Sequence, residues 1–309
     1  DINQLRDAKE KLHFYKMQST GNDFIIIDAE HQIVTNPAGL AVALCNRRTG
    51  IGADSLVLIK NSDKADAYMQ FFNLDGSEGK MAGNAIRAVA KYLYDNNING
   101  VKDKSDELSP TATLKIDTAS GVKTLTLYKL NGKVSSVTVD MGAPKFDSAS
   151  LPTTLKTVDV KGGEKLPAKA IVNVPLKVDG QKYDVTCLAV GNPHCVVFCG
   201  FVDKVDVAHV GPLFENNAAF PNRTNTEFVR VVGRNELKMR TWERGNGETP
   251  ACGTGACAAA IAAVLNGYCP MNENITVKVR GGTLIVKYTG GTVYLTGESS
   301  LSYEGDIEI

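Results

Sequence analysis

The sequence has no net charge: 34 Lys and Arg residues balance 34 Asp and Glu residues. A nucleic-acid partner calls for a basic surplus, and none is present; a membrane surface is equally unexpected. No apolar run approaches the roughly 18 residues that a transmembrane helix needs. The opening stretch "DINQLRDAKEKLHF" has no apolar segment of the signal-peptide kind, and a cytoplasmic location is the expectation. The seven cysteines contain no CxxC pair. An odd count in a chain too long to need disulfide staples reads as reduced thiols. The nearest approach to a metal site is His194, Cys195 and Cys199 in "NPHCVVFCG". On a strand the two thiols share one face and the imidazole takes the other, so these read as buried cysteines, with no metal expected. What the chain does have is length and apolar content: 309 residues, 43% of them hydrophobic, enough to bury a sizeable core in two domains.

The chain resembles itself. "GNDFIIID" from Gly21 matches "GNPHCVVFCG" from Gly191 at an offset of 170. "MQFFNLDGSEGKMAGNAIRAVAKYL" from Met69 matches "MRTWERGNGETPACGTGACAAAIAA" from Met239 at the same offset without a gap. Two separated matches at one offset point to a duplicated pair of α+β domains. In each copy, alternating segments joined by Gly-rich or Asn-Gly turns read as antiparallel strands, Asn131-Gly132 being the clearest hairpin turn. Each copy also has one unusual helix, "GNAIRAVAKYLYD" and "GTGACAAAIAAVLNG". The second is apolar all round, which demands burial on every side. A mostly antiparallel curled sheet or barrel around a buried central helix, built twice with pseudo-symmetry, meets that demand.

The chemistry is expected where the helices begin. Cys252 precedes the second helix, where the unpaired N–H groups of Gly253, Thr254 and Gly255 face outward. Those donors would lower the thiol pKa and could equally hold a carboxylate. Gly83-Asn84 forms the corresponding turn of the first copy, with Ala82 at the place of Cys252. If the copies pack about a pseudo-two-fold axis, a cleft would be lined by pairs that differ by 170: Asn22 with Asn192, Asn73 with Glu243, Ser55 with Asn225. Arg244 adds a cation, and His194 could serve the thiol as a base. Two opposed helix ends suit a reaction that takes a proton from one face of a carbon and returns one to the other. Helix-end N–H groups would stabilise the charge that develops on an amino-acid carboxylate. There is no pyridoxal signature, and no cofactor is expected.

The motifs "STGNDFIIID", "FNLDGSEGKMAGNAIR", "GNPHCVV" and "ERGNGETPACGTGACA" resemble the diaminopimelate epimerase family, in order from about Phe14 to the C-terminus. The resemblance implies two domains, with the last strand from about Glu298 returning to the first: residues 1–141 plus 298–309, and residues 142–297. It implies interconversion of LL- and meso-diaminopimelate on the bacterial route to lysine and cell-wall peptide, without pyridoxal phosphate or metal. A small amino acid is then the partner, neither nucleic acid nor membrane, and a homodimer is a further expectation. Family binding positions fall on Asn22, Asn73, Asn192, Asn225 and Arg244 and on the turns Gly83-Asn84 and Gly253-Thr254. His194 and Glu243 match the polar partners of the family thiols, which makes Cys252, His194 and Glu243 the catalytic candidates.

The departures are specific. The family carries a catalytic Cys at each helix end, but the first is here Ala82. Another usual Cys is Ala88, a Gln is Ser55, and "GAGET" reads "GNGET". Ser55 only trims a polar contact, whereas Ala82 removes a proton-transfer group. Ala82 fits either a lineage that works with Cys252 and another group, such as water, or a replacement that holds an enzyme inactive. Other readings are a one-base isomerase or dehydratase of another amino or hydroxy acid, a Cys252–His194 acyl-transfer enzyme, and a non-catalytic amino-acid-binding protein.

Overall fold

The computed structural model describes residues 11–79, 82–163 and 165–309. It divides into two compact units, residues up to Val137 with Glu298–Ile309, and Thr138–Gly297.

The two units share one strand plan. In the second, strands Lys169–Val178, Gln181–Ala189 and Pro193–Phe198 pair antiparallel in turn. Pro193–Phe198 then runs parallel to Asn225–Gly233, which pairs antiparallel with Glu236–Glu243. Glu236–Glu243 runs parallel to Ile275–Val279, and two antiparallel steps through Gly282–Tyr288 and Val293–Glu298 follow. In the first unit, Ser300–Glu308 pairs antiparallel with Lys11–Ser19, and Lys11–Ser19 with Asn22–Asp28. Asn22–Asp28 runs parallel to Ser55–Lys60, which is antiparallel to Ala67–Asn73; Ala67–Asn73 is parallel to Thr111–Asp117, itself antiparallel to Lys123–Leu130. The C-terminal strand thus fills, in the first unit, the place that Lys169–Val178 fills in the second.

Among the described residues each unit carries two α-helices at matching positions: α1 (Pro37–Cys45) and α2 (Gly83–Asp95) in the first, α3 (Val207–Glu215) and α4 (Gly253–Leu265) in the second. The central helices α2 and α4 are the two expected from the apolar pattern. The outer pair, α1 and α3, was not. Their sequences "PAGLAVALC" and "VAHVGPLFE" are short, and Gly211 and Pro212 read as breakers. Side-chain caps start both: Asn36 Oδ1 accepts from Gly39 N–H at 3.1 Å, and Asp206 Oδ1 from His209 N–H at 3.2 Å. Gly211 is needed because the Trp242 ring lies 2.4 Å from where a Cβ would stand.

Two helices per sheet explain the strand composition. In "NDFIIID" and "SLVLIK" both faces are buried, so alternation gives way to continuous apolar runs. Ile25, Ile27, Leu56 and Leu58 pack with Ala41 and Leu44 of α1. In the second unit Cys195, Val197 and Phe228 pack with Val207 and Phe214 of α3, while Val196, Val229, Leu237 and Met239 pack with α4. The sheet wraps α4: its residues cluster with Ala170 and Leu188 near one end of the strand run and with Val293 and Leu295 at the other. Ala256 and Ala258–Ala260 are fully buried, and their small side chains let the strands approach closely.

Candidate active site

The period of two along the strands decides which polar residues reach α4. Asn225 and Glu227 share a face with Val229, Thr241 and Glu243 with Met239, and His194 with Val196. Val196, Val229 and Met239 pack on α4, so these five polar residues lie on the helix side of the sheet. Cys195 takes the opposite face and meets Cys187 across the strand pair, in the apolar cluster on α3. All seven cysteines are free.

Cys252 is the N-cap of α4 in extended geometry, φ −120° and ψ 114°. Its Sγ accepts from Gly255 N–H at 3.2 Å and lies 3.4 Å from Thr254 Oγ1. The helix end was expected to lower the thiol pKa; the structure reverses this. Burial, then the charges of Glu243 and Glu227, push Cys252 well above the ordinary thiol value, outweighing Thr254 and the Gly255 N–H. Cys252 is buried, so desolvation of a thiolate dominates.

His194 is fully buried. Its Nδ1 lies 2.7 Å from Glu227 Oε1 and its Nε2 2.9 Å from Asn192 Oδ1. Both ring nitrogens are therefore engaged, neither of them by Cys252. Asn225 Nδ2 donates to the Pro193 carbonyl at 2.8 Å, and its Oδ1 accepts from Arg244 N–H at 2.9 Å. The Arg244 guanidinium donates to the Asn222 carbonyl at 3.0 Å. Glu243, half-buried, accepts from the Thr249 hydroxyl. The first-turn N–H groups of Gly253 and Thr254 have no carbonyl within the helix to meet.

In the first unit Ala82 caps α2 with φ −134° and ψ 122° and no side-chain bond. Asn22 follows a tight turn in which Thr20 and Gly21 both have positive φ. Asn22 Nδ2 donates to Asp54 at 3.1 Å, and its Oδ1 accepts from Asn84. Asn84 Oδ1 in turn accepts from Arg87 at 2.9 Å. Arg87, fully buried, also donates to Thr20 Oγ1 at 3.0 Å and to the Gly83 carbonyl at 3.2 Å. Ser55 is buried opposite Asn73 in the strand pair, and Asn73 Nδ2 donates to Ser77 at 2.9 Å. Asn22, Gly83 and Asn84 thus form one network with Arg87, and Ser55 and Asn73 a neighbouring strand pair.

The diaminopimelate epimerase family model matches residues 14–146 and 186–302. The chain belongs to the diaminopimelate epimerase family. Curated diaminopimelate epimerases of Desulfovibrio desulfuricans and Methanococcus maripaludis are each 41% identical to it over 300 residues. These matches span 96% of this chain and 99% and 100% of those relatives. The relative from Pelotomaculum thermopropionicum is 42% identical over 96% of this chain and 98% of its own. The fold extends further. A probable proline racemase from Agrobacterium radiobacter superposes with TM-score 0.64 at 12% identity, over 96% of this chain and 93% of that one. A hydroxyproline epimerase from Agrobacterium vitis does so with TM-score 0.62, also at 12% identity, over 97% and 93%.

For a member of the diaminopimelate epimerase family, three buried residues around the helix starts escaped the sequence reading: Arg87, Glu227 and Thr241. Their signal was present. An Arg inside an apolar helix, and a Glu between Thr226 and Phe228 in a buried strand, are each costly unless bonded.

Proposed function

We propose that this chain binds diaminopimelate and transfers a proton at its α-carbon through Cys252, with full inversion slowed by Ala82. The observation that carries this is the contrast between the helix caps: a thiol held by Gly255 N–H at α4, a methyl group at α2. The α-proton of an amino acid is a poor acid, and its removal places charge on the carboxylate. Outward N–H groups of Gly83 and Asn84, and of Gly253 and Thr254, are suited to that charge. Asn22, Ser55, Asn73, Asn192, Asn225, Glu243 and Arg244 are assigned to substrate binding. His194 orients Asn192, and Glu243 lies beside the thiol. No cofactor is needed, because the thiol itself exchanges the proton.

Loss of one proton-transfer group that acts in the transition state costs about 10²–10⁴ in rate. Incubation of the LL and meso isomers separately in D₂O tests the reading. Slow deuterium entry at the α-carbon, rising with pH as the Cys252 thiolate forms, with little isomer conversion, is expected. Rapid inversion of both isomers would refute the role given to Ala82; no binding and no exchange would refute the substrate. On the same reading the protein is a cytoplasmic, bacterial homodimer acting on the route to lysine, with no nucleic-acid or membrane partner.

A further inference from the structure

Glu227 is a fully buried carboxylate to which the proton transfer above gives no part. Its Oε1 lies 2.7 Å from His194 Nδ1 and accepts from Thr241 Oγ1 at 3.3 Å, while Oε2 has no hydrogen-bond partner among the described residues. At its other ring nitrogen, Nε2, His194 meets the Asn192 side-chain amide at 2.9 Å, so the imidazole is held in place against Oε1. The carboxylate sits under the start of α4. A Cβ built on Gly255 would stand 2.6 Å from Glu227 Oε1 and 3.2 Å from Cys252 Sγ. The two groups flank one point and lie within about 6 Å of each other, the range over which a neighbouring negative charge opposes ionisation.

A buried carboxylate with one bare oxygen is expensive, and the fold does not require it. The first unit builds the same strand plan with Phe24, Val57 and Phe71 at the places of His194, Glu227 and Thr241, each 170 residues earlier. Conversely, Arg87 of α2 corresponds to Cys257 of α4. A buried cation thus lies near the start of α2, and a buried acid near that of α4.

We propose that Glu227 is a positioning residue for Cys252, holding it in the thiol form so that the resting site presents a proton donor at α4. Three strands bring charged or titratable groups toward Cys252: Glu243 on Glu236–Glu243, Glu227 on Asn225–Gly233, and His194, through Glu227, on Pro193–Phe198. Glu248, on the short strand Gly247–Thr249, is instead occupied by Arg240 at 2.8 Å and Arg280 at 3.1 Å. From the α4 side, Gly253, Thr254 and Gly255 bring only uncharged donors. The high thiol pKa of Cys252, caused first by burial and then by Glu243 and Glu227, has the direction that this arrangement demands.

The inference rests on Cys252 being the working thiol, but its test needs no substrate. Thiolate absorbance is titrated against pH for the full chain and for Glu227→Gln, each corrected by its Cys252→Ser counterpart. The Gln variant is expected to titrate about one pH unit lower, a tenfold gain in thiolate below the midpoint. An unmoved midpoint in a folded variant overturns the proposal. If Gln does not fold, Glu227→Asp, which draws the charge back by one methylene, is expected to shift the midpoint downward by less. An unmoved midpoint there has the same consequence. Failure of isotope exchange with a shifted midpoint would instead refute the functional reading and leave this one standing.

Discussion

Replacing Ala82 by Cys is the most informative perturbation, because the backbone is already set for it. Ala82 has φ −134° and ψ 122°, close to the −120° and 114° of Cys252. Each residue's carbonyl starts its helix in the same way, accepting from Ile86 N–H at 3.0 Å and from Ala256 N–H at 2.9 Å. A thiol at position 82 is therefore expected to meet the N–H of Ala85, as Cys252 meets that of Gly255, without backbone strain. Position 82 is half-buried. Restoring the missing proton-transfer group should raise kcat for LL-to-meso conversion by about 10²–10⁴, or about 3–5 kcal/mol of transition-state stabilisation. KM should change little, since no binding group is added. The assay follows both directions of conversion by separation of the isomers, beside the unmodified chain. A gain below tenfold in a folded variant whose new thiol is alkylated by iodoacetamide would refute the claim that Ala82 limits turnover.

Two further outcomes follow from the packing and the charges. In Asp23, burial favours the neutral acid, but hydrogen bonds from Arg47 and Lys16 prevail and bring its pKa down to about 2. A depressed carboxylate pKa stabilises the fold above the unfolded value near 4 and loses that contribution as pH falls through 2. Because Arg47 is largely exposed, the effect is discounted to about 1–2 kcal/mol. Asp23→Asn should remove this slope from acid denaturation curves between roughly pH 4 and 2, and an unchanged slope would contradict it. Ile261→Ala in α4, at a fully buried position, should cost about 2–5 kcal/mol in urea unfolding. A loss under 1 kcal/mol would mean that the sheet does not close on α4 as described.

Much of the architecture was legible because duplication doubles every signal. The offset of 170 located α2 and α4, their caps and the Gly-Asn turns before Asn22 and Asn192 from identity alone. The outer helices were not legible, since Gly211 and Pro212 look like breakers until Trp242 is seen against Gly211. The site was read in part. Cys252 was placed at its helix end by the Gly-rich entry, but the direction of its pKa shift was misjudged. A helix end is a local feature visible in sequence. The burial and the carboxylates of Glu243 and Glu227 that override it come from strands 9 and 25 residues upstream. For the same reason His194 looked like a base for the thiol, although its ring is occupied by Glu227 and Asn192.

The sequence by itself determined the family, the two-fold repetition and the contrast between Cys252 and Ala82, because these are matters of residue identity at matched positions. Only the tertiary structure decided the electrostatic character of each helix start. Arg87 joins Asn84, Thr20 and Gly83 at the start of α2, and Glu227 joins His194 and Thr241 beneath α4. Charges in a low-dielectric interior act through distance and desolvation, and neither exists until the strands have wrapped around the helices.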